Sequence, residues 1–425
     1  MRALLDIVAR HKAGESVGIY SICCAHPLAL KAACLYAAQA PDAPIALIEA
    51  TSNQVNQYGG YTGMQPADFV AFVHAIAQDA GLPLERLALG GDHLGPNAWR
   101  DQPAEAAMRE AETMVALYVE AGFRKIHLDC SMSCAGDPRA LTDAMVAERA
   151  ARLCAAAEAA WGRAGGEPPV YIVGTEVPAP GGAQEDLGEL AVTTPEAAAA
   201  TLDTHAKIFA ARGLGEAWKR VIAAVVQPGV EFDHDMVVDY RDTKARALSQ
   251  FIESRDGIVF EAHSTDYQTP RALAQLVRDH YAILKVGPGL TFALREALFA
   301  LDSIERDWLG AKASGFRETC LRVMHREPKY WKSYYHSDGA RLDFDLQFSL
   351  SDRIRYYWPH PEIEAARAKM FANLASAPPP LALVSQYMPS AYTALRDGRI
   401  RFTPEAMTVH HLFQCIDAYA RACAP

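Results

Sequence analysis

Between Ser16 and Gly287 the chain alternates, eight times over, a short apolar run with a stretch that reads as helix. The runs are 16–23 (SVGIYSIC), 45–50 (IALIEA), 87–92 (LALGGD), 125–130 (KIHLDC), 170–177 (VYIVGTEV), 221–227 (VIAAVVQ), 257–264 (GIVFEAHS) and 282–287 (AILKVG). Most are almost continuously hydrophobic, as parallel strands are when helices cover one face and packed side chains the other. The stretches between them carry helix punctuation. Residues 66–80 open with Pro66 and close at Gly81, 104–121 close at Gly122, and 195–212 open with Pro195 and close at Gly213. Proline suits the first helical position, and glycine the left-handed residue past the last. Eight such units predict an α/β fold of the TIM type, a closed (β/α)8 barrel, with an open doubly wound sheet as the alternative.

The charges at Arg2, Asp6, Arg10 and Lys12 make residues 1–14 an amphipathic helix and not a signal peptide. After Gly289 the strand signal stops. Residues 291–309 read as the eighth helix, so 1–310 form the barrel with its N-terminal helix, and 311–425 a helical C-terminal extension packed on it. The net charge of −10 argues against a nucleic-acid surface, which would be basic. No apolar run approaches the roughly 18–20 residues that span a bilayer. Nine scattered cysteines form no disulfide framework and point to free thiols in a reducing cytoplasm.

Barrel enzymes build their sites from residues at the carboxyl ends of the strands and in the loops that follow. At those places the sequence offers Glu49 and Asn53, Gln57 in the polar loop 54–63, Asp92-His93, His127 and Asp129, and Glu176. The later strands add Glu261, His263, Ser264, Thr265, Lys285 and Gly287. Ionisable groups in strand ends are costly unless paired or bound to an ion, which favours a functional cluster over packing. In Asp92-His93 the imidazole can hold a metal while the carboxylate moves protons; a buried Asp–His bond tying two loops is the plainer alternative. His263 reads as the second imidazole ligand, Glu176 as an oxygen ligand or acid–base group, and Asp129 as an orienting carboxylate or further ligand. Such a set suits zinc, or manganese, better than magnesium or calcium. Asp233-His234-Asp235 reads equally as a source of ligands or as a solvated helix start. Phosphate would be held after the seventh and eighth strands by Ser264, Thr265, Gly287 and Gly289 with Lys285 close by. Arg353 and Arg355 either reach over the mouth from the extension or form surface ion pairs. Neither GxxxxGK[ST] nor GxGxxG occurs, which counts against a P-loop kinase and a nicotinamide dehydrogenase.

Longer strings carry a resemblance: 48–63 (IEATSNQVNQYGGYTG), 90–97 (GGDHLGPN), 125–138 (KIHLDCSMSCAGDP) and 174–182 (GTEVPAPGG). It continues through 226–234 (VQPGVEFDH), 261–269 (EAHSTDYQT), 283–296 (ILKVGPGLTFALRE) and 350–360 (LSDRIRYYWPH). In these the chain resembles, nearly end to end, the accessory-subunit family of class II tagatose-bisphosphate aldolase (GatZ/KbaZ). That family includes D-tagatose-6-phosphate 4-epimerases, and members have also been labelled tagatose-6-phosphate kinases. The resemblance implies a barrel related to class II aldolases, where an Asp-His pair ends the third strand, the Asp carrying protons and the His on zinc. Asp92 and His93 match that pair, and His263 matches a later ligand more loosely. Gln227 stands near the place of a further ligand His after the sixth strand. Two functions are implied. One is metal-dependent C4 epimerisation of D-tagatose 6-phosphate to D-fructose 6-phosphate by a retro-aldol/aldol route, as in galactitol catabolism. The other is a non-catalytic subunit that stabilises the aldolase's catalytic subunit. A full polar mouth favours the enzyme, since a stabilising subunit has no need of one. The extension, with polar aromatic-rich loops at 328–335 and 353–360, would as a whole bury a homo-oligomer contact or dock a partner aldolase.

Overall fold

The computed structural model describes residues 1–40, 45–177 and 190–424. Each apolar run contains a strand: β1 Ile19–Ile22, β2 Ala46–Thr51, β3 Leu87–Leu94, β4 Lys125–Leu128, β5 Val170–Gly174 and β6 Val221–Val225, then β9 Val259–Ala262 and β10 Ile283–Val286. These eight close into a parallel barrel in chain order, β10 pairing back onto β1 with Ser21 opposite Lys285. Two strands that the sequence reading did not foresee, β7 (Glu231–Phe232) and β8 (Val237–Val238), form a small antiparallel pair between β6 and β9. Asp233-His234-Asp235 is therefore a hairpin turn and not a helix start; the Asp233 carboxylate accepts the amides of Asp235 and Met236.

Successive strand residues point to opposite faces, and burial follows that rule. Ile19, Leu47, Ala88, Ile172, Ala223, Val259 and Ile283 form an inner core, closed from below by Leu4, Ile7 and Val8 of the helix Arg2–Lys12. Their alternates, among them Ile48, Leu89, Ile126, Tyr171, Phe260 and Leu284, join the larger core under the outer helices. The helix ends are where the punctuation placed them. Thr142, Thr194 and Thr269 cap helices by accepting backbone amides, and Gly81, Gly122 and Gly213 have φ of +72°, +109° and +75°.

The outer ring is completed differently from expectation. Residues 291–309 do lie in a helix, Pro288–Leu309. However, the final helix, Pro404–Cys423, is the one that packs against β1 and between the helices Pro27–Gln39 and Pro270–Arg278. Gly18 N donates to Cys423 O (3.0 Å), and Tyr419 Oη donates to Thr265 O (2.8 Å). The end of the extension is thus part of the barrel wall. No helix among the described residues is long and apolar enough to cross a membrane, and all nine thiols are free.

Candidate metal centre and active site

The inward alternation continues upward from the apolar layer into a charged one. Leu47 is followed two residues on by Glu49, Val259 by Glu261, and Ile283 by Lys285, while β4 opens with Lys125. Lys125 Nζ sits between Glu49 Oε1 (2.7 Å) and Glu261 Oε2 (2.6 Å), and none of the three has any exposed side-chain surface. Lys285 Nζ bonds Glu49 and stands 3.2 Å from Asp92 Oδ2. Gly90, opposite Glu49 on β3, leaves the room: a Cβ there would meet Glu49 Cγ at 2.8 Å. Buried charges of this kind are tolerated only as a mutually paired set. Burial would depress both lysines, but Glu261 and Glu49 outweigh it at Lys125 and Asp92 leads the outweighing at Lys285, so both stay cationic.

Above this layer β3 breaks register between Gly91 and Leu94, and His93 adopts φ +47°. Plain alternation would send Asp92 inward and His93 outward; a bulge with a left-handed residue re-aims the second side chain. Both therefore reach the mouth. His93 Nδ1 bonds Asp129 Oδ2 (2.7 Å), and His263 Nε2 bonds Glu261 Oε1 (2.9 Å). A ring nitrogen facing a carboxylate carries its proton there, so the other nitrogen of each ring presents a lone pair. Those two nitrogens, His93 Nε2 and His263 Nδ1, face each other at 3.1 Å. Two lone pairs so close need one proton or one cation between them. With a proton there, His93 is its carrier: Asp92 and Asp129 outweigh the effect of burial and raise its pKa, while burial lowers His263 to about 4.

His127 completes a triangle of imidazoles with ring centroids 4.7–5.2 Å apart. Its Nε2 is buried without a hydrogen-bond partner. Asp92, His127, Glu261 and His263 also present ligand atoms all within 4.8 Å of one another. The surrounding charge points the same way. Glu49, Asp92, Asp129 and Glu261 set four buried carboxylates against the two ammoniums of Lys125 and Lys285, an excess of two negative charges that a divalent cation would cancel. The residues present fit such an ion: Asp92, His127, Glu261 and His263 converge closely enough to share one, and His93 Nε2 stands 3.1 Å from His263 Nδ1 at their edge. Burial would raise the Asp92 carboxyl, but His93, Lys285 and His263 together hold it well below the usual range, so it is ionised.

Asn53, Ser264, Lys285, Gly287 and Arg355 line the cavity over this centre, together with Asp92, His93 and His263. Arg353 lies in a neighbouring cavity. Three expected residues are not brought there. Glu176 is exposed, its carboxylate accepting from Thr193 Oγ1, because β5 ends at Gly174 and the alternation that would have turned it inward ends with it. Gln57 donates to the backbone and side chain of Glu110. Thr265 is fully buried and donates to Lys285 O. The glycine cradle is already filled: the amides of Gly287 and Gly289 both donate to Asp266 Oδ1, at 2.9 and 2.7 Å. Gln227 accepts the amides of Gly229 and Val230 and so holds a turn. Residues 178–182 of the GTEVPAPGG string lie outside the described residues. The sequence placed Glu49, Glu261 and His127 in the strand-end cluster without an individual role, and singled out neither Lys125 nor Tyr61 and Tyr356, two tyrosines that line the cavity. The signal for the first four was there: Lys125, His127 and Glu261 each lie an even number of residues before Asp129 or His263 in their own runs, and Glu49 lies two residues past the inward Leu47.

Among solved structures, the chain is 47% identical to a probable tagatose 6 phosphate kinase from Sinorhizobium meliloti 1021, over 96% of this chain and 100% of that one, with a TM-score of 0.87. Two more distant likenesses show the fold alone. The fructuronate-tagaturonate epimerase UxaE from Cohnella laeviribosi has 13% identity, 96% and 82% coverage and a TM-score of 0.51. The fructose-bisphosphate aldolase from Campylobacter jejuni has 13% identity, 88% and 92% coverage and a TM-score of 0.50. A family model described as D-tagatose-1,6-bisphosphate aldolase subunit GatZ/KbaZ-like matches residues 4–424. The chain therefore belongs to the GatZ/KbaZ-like family.

Proposed function

We propose that this protein is a divalent-metal-dependent ketohexose-phosphate enzyme that epimerises C4, interconverting D-tagatose 6-phosphate and D-fructose 6-phosphate. The observation that carries the reading is the pair of facing imidazole nitrogens, each ring oriented by its own buried carboxylate. Zinc is the cation expected there, with manganese the alternative. When bound, it would draw electrons from the C2 carbonyl oxygen of the sugar. C4 is two carbons from that carbonyl and its hydrogen is not acidic, so direct proton exchange is poor chemistry. Breaking C3–C4 is better. Asp92, ionised at the mouth, takes the C4 hydroxyl proton; the C4 oxygen forms an aldehyde as the C3–C4 pair moves toward C2. The aldehyde turns over, C3 adds to its other face, and Asp92 returns the proton to the C4 oxygen. Lys285, 3.2 Å from Asp92, keeps the carboxylate in place and ionised between steps. Asn53, Ser264 and Arg355 line the cavity as hydrogen-bond partners for the sugar hydroxyls.

The test is incubation of the purified chain alone with tagatose 6-phosphate, with and without a chelator. Fructose 6-phosphate should appear and its formation be lost on chelation, and Asp92→Asn should lower kcat by about 10²–10⁴-fold. Full turnover in both Asp92→Asn and His93→Ala would refute the assignment. The family description favours a second reading, an accessory subunit of a class II D-tagatose-1,6-bisphosphate aldolase. It predicts no turnover by the chain alone and a rise in the stability of the partner aldolase. The kinase activity in the Sinorhizobium meliloti protein's name would require ADP formation, for which this sequence has no Walker A motif.

A further inference from the structure

Beside the metal centre lies a second cavity of about 440 Å³ that shares Asn53, Tyr61 and Tyr356 with it. Among the described residues the charged members of its lining are Arg100, Lys329 and Arg353, with no carboxylate. In a chain of net charge −10 that is a local reversal of sign. Arg353 is the fixed member, 5% exposed. Its guanidinium lies between the rings of Tyr334 (3.6 Å) and Tyr356 (4.4 Å), and its Nε donates to Tyr330 O at 2.9 Å. Its Nη1 is buried with no hydrogen-bond partner. A stacked guanidinium with a spare donor is suited to a planar or tetrahedral oxyanion. Arg100 and Lys329 are exposed at the rim and add charge without constraint.

We propose that this cavity is the phosphate subsite, holding the phosphate monoester of the sugar between Arg353, Lys329 and Arg100. The barrel's usual place for a phosphate, the glycine turn after β10, is closed to one because the Asp266 carboxylate occupies its amides. The proposal rests on the ketohexose-phosphate reading and adds a reason for a separate anchor. In a C3–C4 cleavage the 6-phosphate stays on the three-carbon aldehyde half. A grip on that phosphate, set to one side of the centre, retains the fragment while its carbonyl turns over.

Binding of inorganic phosphate, fructose 6-phosphate and free fructose to the metal-loaded full chain is measured calorimetrically for wild type, Arg353→Met and the rim double variant Arg100→Ala/Lys329→Ala. Both phosphate-bearing probes should bind about 10–100-fold more weakly to each variant, with free fructose unchanged. During turnover the rim variant should also release more glyceraldehyde 3-phosphate into solution, read with a coupled dehydrogenase. The rim residues are exposed, so that variant stays informative even if Arg353→Met fails to fold. Unchanged affinity for phosphate and fructose 6-phosphate in the rim variant, or no binding of either by wild type, overturns the proposal. The two readings fail separately. Phosphate binding lost in the variants without any wild-type interconversion keeps the subsite and removes the epimerase. Interconversion with an unaltered KM in the rim variant does the reverse.

Discussion

Asp129→Asn isolates the lone-pair argument from the rest of the site. Asp129 is 2% exposed, and its Oδ1 accepts both the amide (3.1 Å) and the hydroxyl (2.6 Å) of Ser131. An asparagine keeping those two donors must put its carbonyl oxygen at the Oδ1 position and its NH2 where Oδ2 now meets His93 Nδ1. That amide donates where the carboxylate accepted. Nδ1 must then carry the lone pair, and the ring proton moves to Nε2, the atom that faces His263. The variant therefore reverses the tautomer while changing almost no volume. Loss of such an orienting carboxylate weakens a metal site about 10–100-fold, or about 1.4–2.7 kcal/mol. The assay is competition for zinc between the apo chain and a chromophoric chelator, with circular dichroism to establish that the variant is folded at the assay temperature. Equal zinc affinity in wild type and a folded Asp129→Asn would refute the claim that the two facing nitrogens hold the ion.

Two further outcomes follow from burial and packing. Glu231, 6% exposed, has its carboxyl pKa raised to about 7, first by burial and further by Asp266 and Asp233. The folded chain thus holds a proton that the unfolded chain releases near the ordinary glutamate value. Stability then falls as pH rises from about 4.5 to about 7, by up to about 3 kcal/mol. Glu231→Gln, which does not titrate, should gain on wild type by that amount between pH 5 and 8 in urea unfolding; parallel pH profiles would contradict this. Deleting residues 404–425 removes the helix that packs on β1 and bonds Gly18 and Thr265, so the truncated barrel should lose cooperative thermal unfolding. A sharp melt within a few degrees of the full chain would show that the helix is dispensable.

What the sequence made legible, and what it hid, divides along physical lines. All eight strands were readable because a strand covered on both faces must be apolar nearly throughout, and the left-handed glycines marked where helices stop. Much of the site was readable by the same logic carried one step further. Inward residues recur every second position, so Glu49 above Leu47, Glu261 above Val259 and Lys285 above Ile283 fall on one side of their strands, and Lys125, His127 and Asp129 do so on β4. Taking strand ends as a list of polar residues, without that parity, left His127 without a role; parity alone would still have admitted Glu176, which lies beyond Gly174, the last paired residue of β5, where the alternation has ended. The bulge at His93 breaks parity in the other direction, and nothing in the letters GGDHLG announces it. Closure hid more. Which helix fills the gap between β10 and β1 depends on how apolar faces far apart in the chain compete. The face of Pro404–Cys423 is no more distinctive than that of Pro288–Leu309. The partner of the glycine turn was hidden for a similar reason: Gly287-Pro288-Gly289 has the composition of an anion cradle, but its amides are taken by a carboxylate only two positions past Ser264, itself at φ +54°. A turn motif states which donors are available; only the path of the neighbouring loop decides which acceptor takes them.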